Sequence, residues 1–296
     1  MKMRSRHLDR RTFLVATAAA AGSLAAPALA RPASLRTTEW VSDAGPLLVR
    51  SAIIEGPASL GLVDTQFTLS NTMRLIADLK ERGKPLAWVY VTHPHLDHFN
   101  GAGLVRSAFP EARFFARADA IPLFQPMVDT RQASLGGAAP GGGDNLPATA
   151  PTFFDGVSPA GLTLDDRPLQ ILQGPGDHPM SSVVYEPEGR IAITSDVVFS
   201  ETHAFTGDHD DFDGWIALIR QVQALDPSRV VVGHAGPEVR RGDRVLAEQI
   251  DWLEAYRDAR AENPSVEHVR AEMIARYPGY ANDFIFDFSA GVLRLP

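Results

Sequence analysis

The sequence predicts an α/β protein in which helices cover the outer faces of packed β-sheets. Short apolar segments typical of strands alternate with segments whose apolar residues recur at helical spacing, as when residues 59–64 precede residues 68–83. The composition, 45% hydrophobic and 22% charged residues, is that of a globular protein with a sizeable core. No internal repeat and no domain boundary interrupt this pattern, so we expect one domain.

The N-terminal half begins the alternation. Strand patterns are found at 46–54, 59–64 and 85–92, a helical pattern at 68–83, and further apolar segments at 102–109 and 112–117. A short helix is expected from about Asp97 through Leu104. Residues 132–152 are rich in glycine, alanine and proline, which predicts a surface loop that can border a site.

The C-terminal half resumes with strands and ends with helices. Strand candidates are 162–173, 181–187, 190–196 and 228–234, and helices are expected at about 213–225, 242–261 and 265–277. The aromatic segment 276–291 is expected to pack against a sheet.

The first thirty residues have the organisation of an export signal. The pair Arg10-Arg11 precedes an apolar stretch at 13–26 that is too short to span a bilayer, and small residues ending at Ala30 predict cleavage there. The arginine pair is similar to a twin-arginine signal, with an ordinary signal as the alternative. We therefore expect a signal peptide at 1–30, a domain at 31–296, and a periplasmic or secreted protein without a stable membrane anchor.

The mature chain is acidic. Removing the signal leaves 23 of the 28 basic and 35 of the 36 acidic side chains, a net charge of −12. Such a charge repels nucleic acid and favours a small neutral or zwitterionic molecule as the partner. Because the chain has no cysteine, a metal site has to use histidines and carboxylates.

Three of the nine histidines lie within six positions, directly after the apolar strand 86–91. Side chains just past the carboxyl end of a strand lie at the edge of a sheet. His93 and His95, on either side of a proline, can point toward one ion, and Asp97 and His98 can point toward a second. The alternative is a polar loop whose histidines have no common role.

Three more residues that can bind zinc follow other predicted strands. They are His178, Asp196 and His234. Each has a simpler alternative, namely a turn residue, the cap of a loop and the start of a helix. Four strand ends that deliver histidine or aspartate to one edge are what a two-metal hydrolytic centre requires.

These motifs resemble those of the metallo-β-lactamase superfamily, whose HxHxDH signature is matched by residues 93–98. The resemblance covers nearly all of the mature chain and implies a four-layer αββα sandwich. It also implies that one metal is held by His93, His95 and His178, the other by Asp97, His98 and His234, with Asp196 bridging both. Asp64, at the end of 59–64, matches an aspartate that the superfamily often has there, with a turn residue as the alternative.

The sequence departs from the family pattern at two points. The usual Gly-His-Thr is Asp177-His178-Pro179, which places a carboxylate beside the predicted ligand and removes a hydroxyl; Ser181 follows in the same motif. Because it lacks cysteine, the predicted ligand set resembles that of the lactonase, thioesterase and general hydrolase branches rather than that of the cysteine-containing β-lactamases.

The chemistry that this resemblance implies is hydrolysis. Two Zn²⁺ ions, with iron or manganese as alternatives at one site, can share a water and make hydroxide available at neutral pH, with Asp97 moving a proton. We expect the cleavage of a lactone, ester, thioester or β-lactam. The alternatives are a mononuclear iron-dependent sulfur dioxygenase and a metal-binding protein without turnover.

The segment 200–215 holds two more histidines and four aspartates. His203 is a candidate substrate residue, as an oxyanion donor or proton source, with a structural role as the alternative. The aspartates are expected to cap the following helix, through Asp211 or Asp213. The sequence leaves open the role of His209, the substrate and the oligomeric state.

Overall fold

Two β-sheets lie face to face between two layers of helices in the computed structural model of the protein. The structure describes residues 34–43, 47–135, 150–158, 160–236 and 243–293. The predicted signal peptide at 1–30 and most of the predicted loop at 132–152 lie outside these residues. All described residues belong to one unit, Ala33–Pro296.

The first sheet has six strands in chain order. They are β1 (Arg36–Val41), β2 (Arg50–Glu55), β3 (Leu60–Val63), β4 (Leu86–Val91), β5 (Arg113–Ala116) and β6 (Asp155–Gly156). Strands β1 to β3 pair antiparallel, whereas β3 to β6 pair parallel. The carboxyl ends of β3 and β4 therefore meet at one edge of the sheet.

The second sheet has five strands in the order β11-β10-β9-β8-β7. They are β7 (Leu162–Leu164), β8 (Arg167–Gly174), β9 (Ser181–Glu186), β10 (Ile191–Ser200) and β11 (Arg229–Ala235). Only β10 and β11 pair parallel. An isolated bridge between Val49 and His234 connects the two sheets near the edge that carries the histidines.

Eight α-helices are described. They are α1 (Leu69–Glu81), α2 (Leu96–Phe99), α3 (Ala102–Ala108), α4 (Phe124–Leu135), α5 (Phe212–Ala224), α6 (Asp243–Glu262), α7 (Val266–Arg276) and α8 (Ile285–Leu293). Helix α5 begins near the predicted residue because the Asp211 carboxylate accepts a hydrogen bond from the Gly214 amide, 2.9 Å away. None of the described helices is long and apolar enough to cross a membrane.

Three buried clusters define the layers. Helices α1 to α4 pack on the first sheet, and α5 to α8 pack on the second. Side chains from both sheets, such as Tyr90 and Val231, form the cluster between them. This arrangement confirms the four-layer αββα sandwich.

The helix predicted from about Asp97 through Leu104 is interrupted. Helices α2 and α3 are separated at Asn100 and Gly101, because backbone groups of the neighbouring segment take the hydrogen bonds that would continue the helix: the Thr65 amide donates to His98 O, and Gln66 O accepts from Gly101. The chain approaches so closely that a Cβ on Gly101 would lie 2.1 Å from Thr65 O. This contact fixes α2, and with it Asp97 and His98, against the end of β3.

Candidate metal centre

Seven buried or half-buried side chains converge at the shared edge of the two sheets. Their ligating atoms form two groups, each within 4.8 Å, that share Asp196: His93, His95, Asp177 and Asp196, and Asp97, His98, Asp196 and His234. Six of these seven residues are ligands that the resemblance implies. Asp196 lies between the groups, with Oδ1 3.3 Å from His98 Nε2 and Oδ2 3.8 Å from His93 Nε2.

The irregular path of β10 turns Asp196 into the centre. The register between β10 and β11 shifts on both sides of Ser195, whose φ is +44°. Asp196 therefore lies inside β10, whereas the sequence analysis placed it directly after a strand. A Cβ on Gly233 of β11 would lie 1.8 Å from Asp196 Oδ1. Glycine at 233 therefore makes room for the carboxylate, and His234 follows directly.

The structure brings Asp177 into the first group, whereas His178 lies outside both groups, with its ring centroid 5.3 Å from that of His95. In the turn between β8 and β9, the Asp177 amide donates to Asp196 O at 3.1 Å, which directs its carboxylate inward, 2.9 Å from His95 Nδ1. His178 Nδ1 accepts a hydrogen bond from the Met180 amide at 2.9 Å. Metal binding by His178 therefore stays a prediction.

Each histidine of the HxHxDH segment has one ring nitrogen engaged outside the centre. Thr92 Oγ1 lies 3.0 Å from His93 Nδ1, and Asp64 Oδ2 lies 2.9 Å from His98 Nδ1, so both rings present Nε2 to the centre. His95 is reversed: its Nε2 lies 2.6 Å from Asp208 Oδ2, and it presents Nδ1. Such outer partners fix the tautomer and orientation of metal-binding histidines.

Asp64 lies where the resemblance implies a residue behind the ligands. It is buried at the end of β3 with φ +61°, and its oxygens accept hydrogen bonds from the Thr92 amide at 2.9 Å and Ser195 Oγ at 2.8 Å as well as from His98. One carboxylate thus connects segments from both sheets to a candidate ligand.

Sequence reasoning missed Asp208, which was expected only to help cap α5. The loop before α5 folds back so that Asp208 reaches His95, while His209 Nε2 donates to Gly176 O at 2.7 Å, beside Asp177. The cluster of aspartates was visible in the sequence, but nothing in its spacing distinguished the one that faces a ligand from those that cap a helix.

Two other site residues predicted from the sequence, Ser181 and His203, lie outside both groups of candidate metal ligands. Ser181 Oγ donates to His178 O at 2.9 Å and so stabilises the turn that carries Asp177. His203 is buried and lines the pocket next to the centre. Burial lowers the pKa of His203 to about 4, so the ring is neutral at neutral pH.

Burial and opposite charges set the ionisation of the centre. Burial opposes ionisation of Asp196, but His234 and His98 outweigh it and hold its pKa well below the usual value. Burial raises the pKa of Asp177 to about 7 and lowers the pKa of His93 well below its usual value. Burial opposes protonation of His95 and His234, but nearby aspartates outweigh burial and raise the pKa of each to about 10, so metal binding at neutral pH has to displace their protons.

The donor atoms themselves test whether a cation fits. Within the two groups, four buried atoms have no hydrogen-bond partner among the described residues: His98 Nε2, both carboxylate oxygens of Asp177 and Asp196 Oδ1. An ion or water commonly satisfies buried polar atoms in this state. Imidazole with carboxylate is also a donor set that divalent metals accept.

A pocket opens beside the centre and reaches the C-terminal segment. It encloses about 610 Å³, a volume that includes solvent space at its open mouth. Apart from the centre, its described wall is mainly apolar: Leu47, Phe67, Phe199, Phe205, Ile285 and Phe288. Phe199 stacks on His234 with ring centroids 5.4 Å apart.

The sequence profile described as the metallo-β-lactamase superfamily matches residues 44–234. The chain belongs to this superfamily. Its convergent histidines and aspartates can hold divalent metal ions.

A curated relative is a linear primary-alkylsulfatase from Pseudomonas sp. (strain ATCC 19151). The two sequences are 25% identical over an alignment of 221 residues, and the match covers 62% of this chain and 41% of the relative, so the chain spans less than half the length of that enzyme.

Solved structures share the fold. The metallo-β-lactamase FIM-1 from Pseudomonas aeruginosa, in its mono-zinc form, has a TM-score of 0.55 and 21% identity over 75% of this chain and 91% of its own. A metallo-β-lactamase from Hirschia baltica has a TM-score of 0.53 and 18% identity over 74% of this chain and 93% of its own. The TM-scores establish a common fold, and the low identities leave the substrate open.

Proposed function

We propose that the protein is an exported, dinuclear zinc hydrolase that cleaves a small carbonyl compound: a lactone, an ester, a thioester or a β-lactam. The observation that carries the proposal is the pair of four-residue groups that share Asp196. Each group offers two histidine nitrogens and two carboxylate oxygens, so each can hold its own divalent ion. A pair of such ions lowers the pKa of a shared water to about 7 and polarises a carbonyl oxygen.

Asp97 is suited to move a proton. Its side chain is 16% exposed, against at most 7% for the other six residues of the centre, and it lines the pocket. Burial opposes its ionisation, but His98 and His234 outweigh burial and hold the pKa of this carboxyl well below its usual value. Asp97 therefore remains an ionised acceptor at neutral pH, 3.3 Å from His234 Nε2.

The pocket supports a small, largely apolar substrate. No lysine or arginine is among the described residues that line it, and the mature chain is acidic, so recognition of a polyanion is disfavoured. The apolar wall excludes water and positions the substrate beside the centre.

Two complete groups favour two metals over the alternative of a single iron and sulfur oxidation. The alternative of a metal that only stabilises the fold is disfavoured because the groups border a pocket rather than a closed core. Iron or manganese can replace zinc at one site, since all donors are nitrogen or oxygen.

A sulfate ester is the second candidate. The similarity to a linear primary-alkylsulfatase and the apolar wall favour an alkyl sulfate, whereas the absence of a cationic side chain from the described wall favours a neutral carbonyl compound.

A substrate screen tests the proposal. The mature protein, loaded with zinc, is assayed against lactones, esters, thioesters, β-lactams and a linear primary alkyl sulfate, and its metal content is measured. We expect two zinc ions per chain and turnover of a carbonyl compound that EDTA abolishes and zinc restores. Turnover of the alkyl sulfate alone selects the second candidate, and bound metal with no turnover of any compound contradicts hydrolysis.

Export is tested separately by expressing the full chain and sequencing the product in the periplasm. We expect a protein that begins at Arg31. The double variant Arg10→Lys, Arg11→Lys should remain uncleaved in the cytoplasm if the signal is of the twin-arginine type, whereas an ordinary signal would tolerate the change.

A further inference from the structure

The peptide group between Gly176 and Asp177 is held at both of its ends. The carbonyl oxygen of Gly176 accepts a hydrogen bond from His209 Nε2 at 2.7 Å. The N–H of Asp177 donates to Asp196 O at 3.1 Å. Because a peptide group is planar, the two bonds together set the orientation of its plane. The direction in which the Asp177 side chain leaves the backbone therefore depends on both bonds.

The hydrogen-bond partners of His209 determine which of its ring nitrogens carries the hydrogen. Nδ1 lies 3.0 Å from the amide nitrogen of Asp211, and a backbone N–H can only donate, so Nδ1 accepts. A carbonyl oxygen can only accept, so Nε2 carries the hydrogen that is donated to Gly176 O. The ring thus connects the residue that caps α5 to the turn between β8 and β9.

The beginning of α5 gives His209 a rigid support. Its ring centroid lies 6.1 Å from that of Trp215, which is fully buried and donates from Nε1 to Val197 O at 2.8 Å. The first turn of α5 also contacts the turn between β8 and β9, since a Cβ on Gly214 would lie 2.8 Å from Pro175 Cγ. Helix α5 and this turn are therefore packed directly against each other.

The residue before His209 contacts another candidate ligand of the first group. Asp208 Oδ2 lies 2.6 Å from His95 Nε2. In the second group, His98 Nδ1 is held instead by Asp64, directly after β3 and 2.9 Å away. The loop before α5 therefore supports the first group at two points, and a change at His209 should affect that group before the second.

We infer that His209 is a positioning residue that holds the Asp177 carboxylate in the first group and so strengthens metal binding there. It acts through the carbonyl oxygen of Gly176 and contacts neither metal nor substrate in this role. The inference rests on the proposed function, because it takes each group to hold its own ion.

Two substitutions separate this role from a general effect on the loop. His209→Gln keeps an N–H donor near the position of Nε2 and can still donate to Gly176 O. His209→Asn keeps an acceptor near the position of Nδ1 for the Asp211 amide but loses the donor to Gly176 O. Asp213→Asn is the control, because its side chain is 87% exposed on the same turn of α5.

The readout is the zinc occupancy of each site, which requires no turnover. Crystals of the mature protein and its variants are equilibrated with zinc that a chelator buffers at graded free concentrations, and occupancies are read from anomalous peaks at the zinc edge. His209→Asn should lower the zinc affinity of the first site by about 3- to 10-fold, the effect of one neutral hydrogen bond. The second site should be unchanged, and His209→Gln should retain most of the affinity of the first.

Three results would overturn the inference: an unchanged first site in His209→Asn, equal losses at both sites, or a loss in His209→Gln as large as that in His209→Asn. Unfolding of the metal-free variants in urea provides the check on stability. His209→Asn and His209→Gln should have similar midpoints, since each is expected to lose one hydrogen bond.

The proposed function fails on different results. Zinc at the first site alone in the unmodified protein would contradict a dinuclear centre, yet His209→Asn should still weaken that site. Bound zinc without turnover in the substrate screen would contradict hydrolysis and leave this inference in place. Zinc at the second site alone would overturn both.

Discussion

The two sides of the pocket are built differently. On one side, ligand candidates come from the ends of strands, and buried partners such as Asp64, Thr92 and Asp208 hold three of the histidines. On the other side, the described wall is mainly apolar and includes Ile285 and Phe288 of α8. We infer that the first side carries the chemistry and the second selects the substrate, so changes on the two sides should affect different kinetic constants.

The largest effect is expected from Asp196→Ala, which removes the carboxylate that both groups share. The loss should lower kcat/KM at least about 10³-fold and release metal, because neither group keeps its four donors. Activity is measured with the best compound of the screen, and metal content by elemental analysis. The exposed Asp258→Asn on α6 is the matched control and should retain both.

Replacing Asp177 and His178 one at a time tests which residue of the turn between β8 and β9 binds metal. Asp177→Asn should lower kcat by about 10²-fold or more together with metal affinity, because it removes a charged donor. His178→Asn should have a smaller effect, since it perturbs a turn. A greater loss of metal in His178→Asn than in Asp177→Asn would show that His178 is the ligand after all.

Asp208→Asn tests whether the partner behind His95 matters. We expect metal affinity to fall about 10- to 100-fold, as is typical when the partner of a metal-binding histidine is replaced. The readout is competition with a zinc chelator. The matched control is Asp210→Asn in the same loop, and equal affinities in the two variants would argue against a role for Asp208.

Phe288→Ala on α8 should raise KM by up to about tenfold and leave kcat nearly unchanged, because it removes apolar contact area from the wall opposite the chemistry. Initial rates over a range of substrate concentrations separate the two constants. A fall in kcat with an unchanged KM would contradict the division between the two sides.

The smallest effect on activity is expected at the opposite end of the first sheet. Hydrogen bonds from Arg36 and Lys84 lower the pKa of Glu55 to about 2. Because the folded pKa is below the unfolded value, this stabilisation is present above about pH 4.5 and is lost as the pH falls toward 2. Glu55→Gln should therefore unfold about 1 kcal/mol more easily at neutral pH, as measured by urea denaturation, and match the original protein near pH 2. Its kinetic constants should be unchanged.

The sequence was sufficient for the parts of the fold and centre that depend on periodicity and on strand ends. The α/β class and the positions of His93, His95, His98 and His234 follow from that logic, whereas the four-layer αββα arrangement was implied by the resemblance to the superfamily. The sequence analysis did not predict strand β1 or helix α8. The residues of both contribute to contacts that form only in the folded chain. The inward position of the Asp177 carboxylate depends on the backbone hydrogen bond to Asp196, which no spacing in the sequence records.

The most direct test of the central claim is anomalous diffraction at the zinc edge from crystals of the zinc-loaded mature protein. We predict two peaks on either side of Asp196, one within reach of His93, His95 and Asp177 and the other within reach of Asp97, His98 and His234. A single peak, or none among these side chains, would contradict a dinuclear centre.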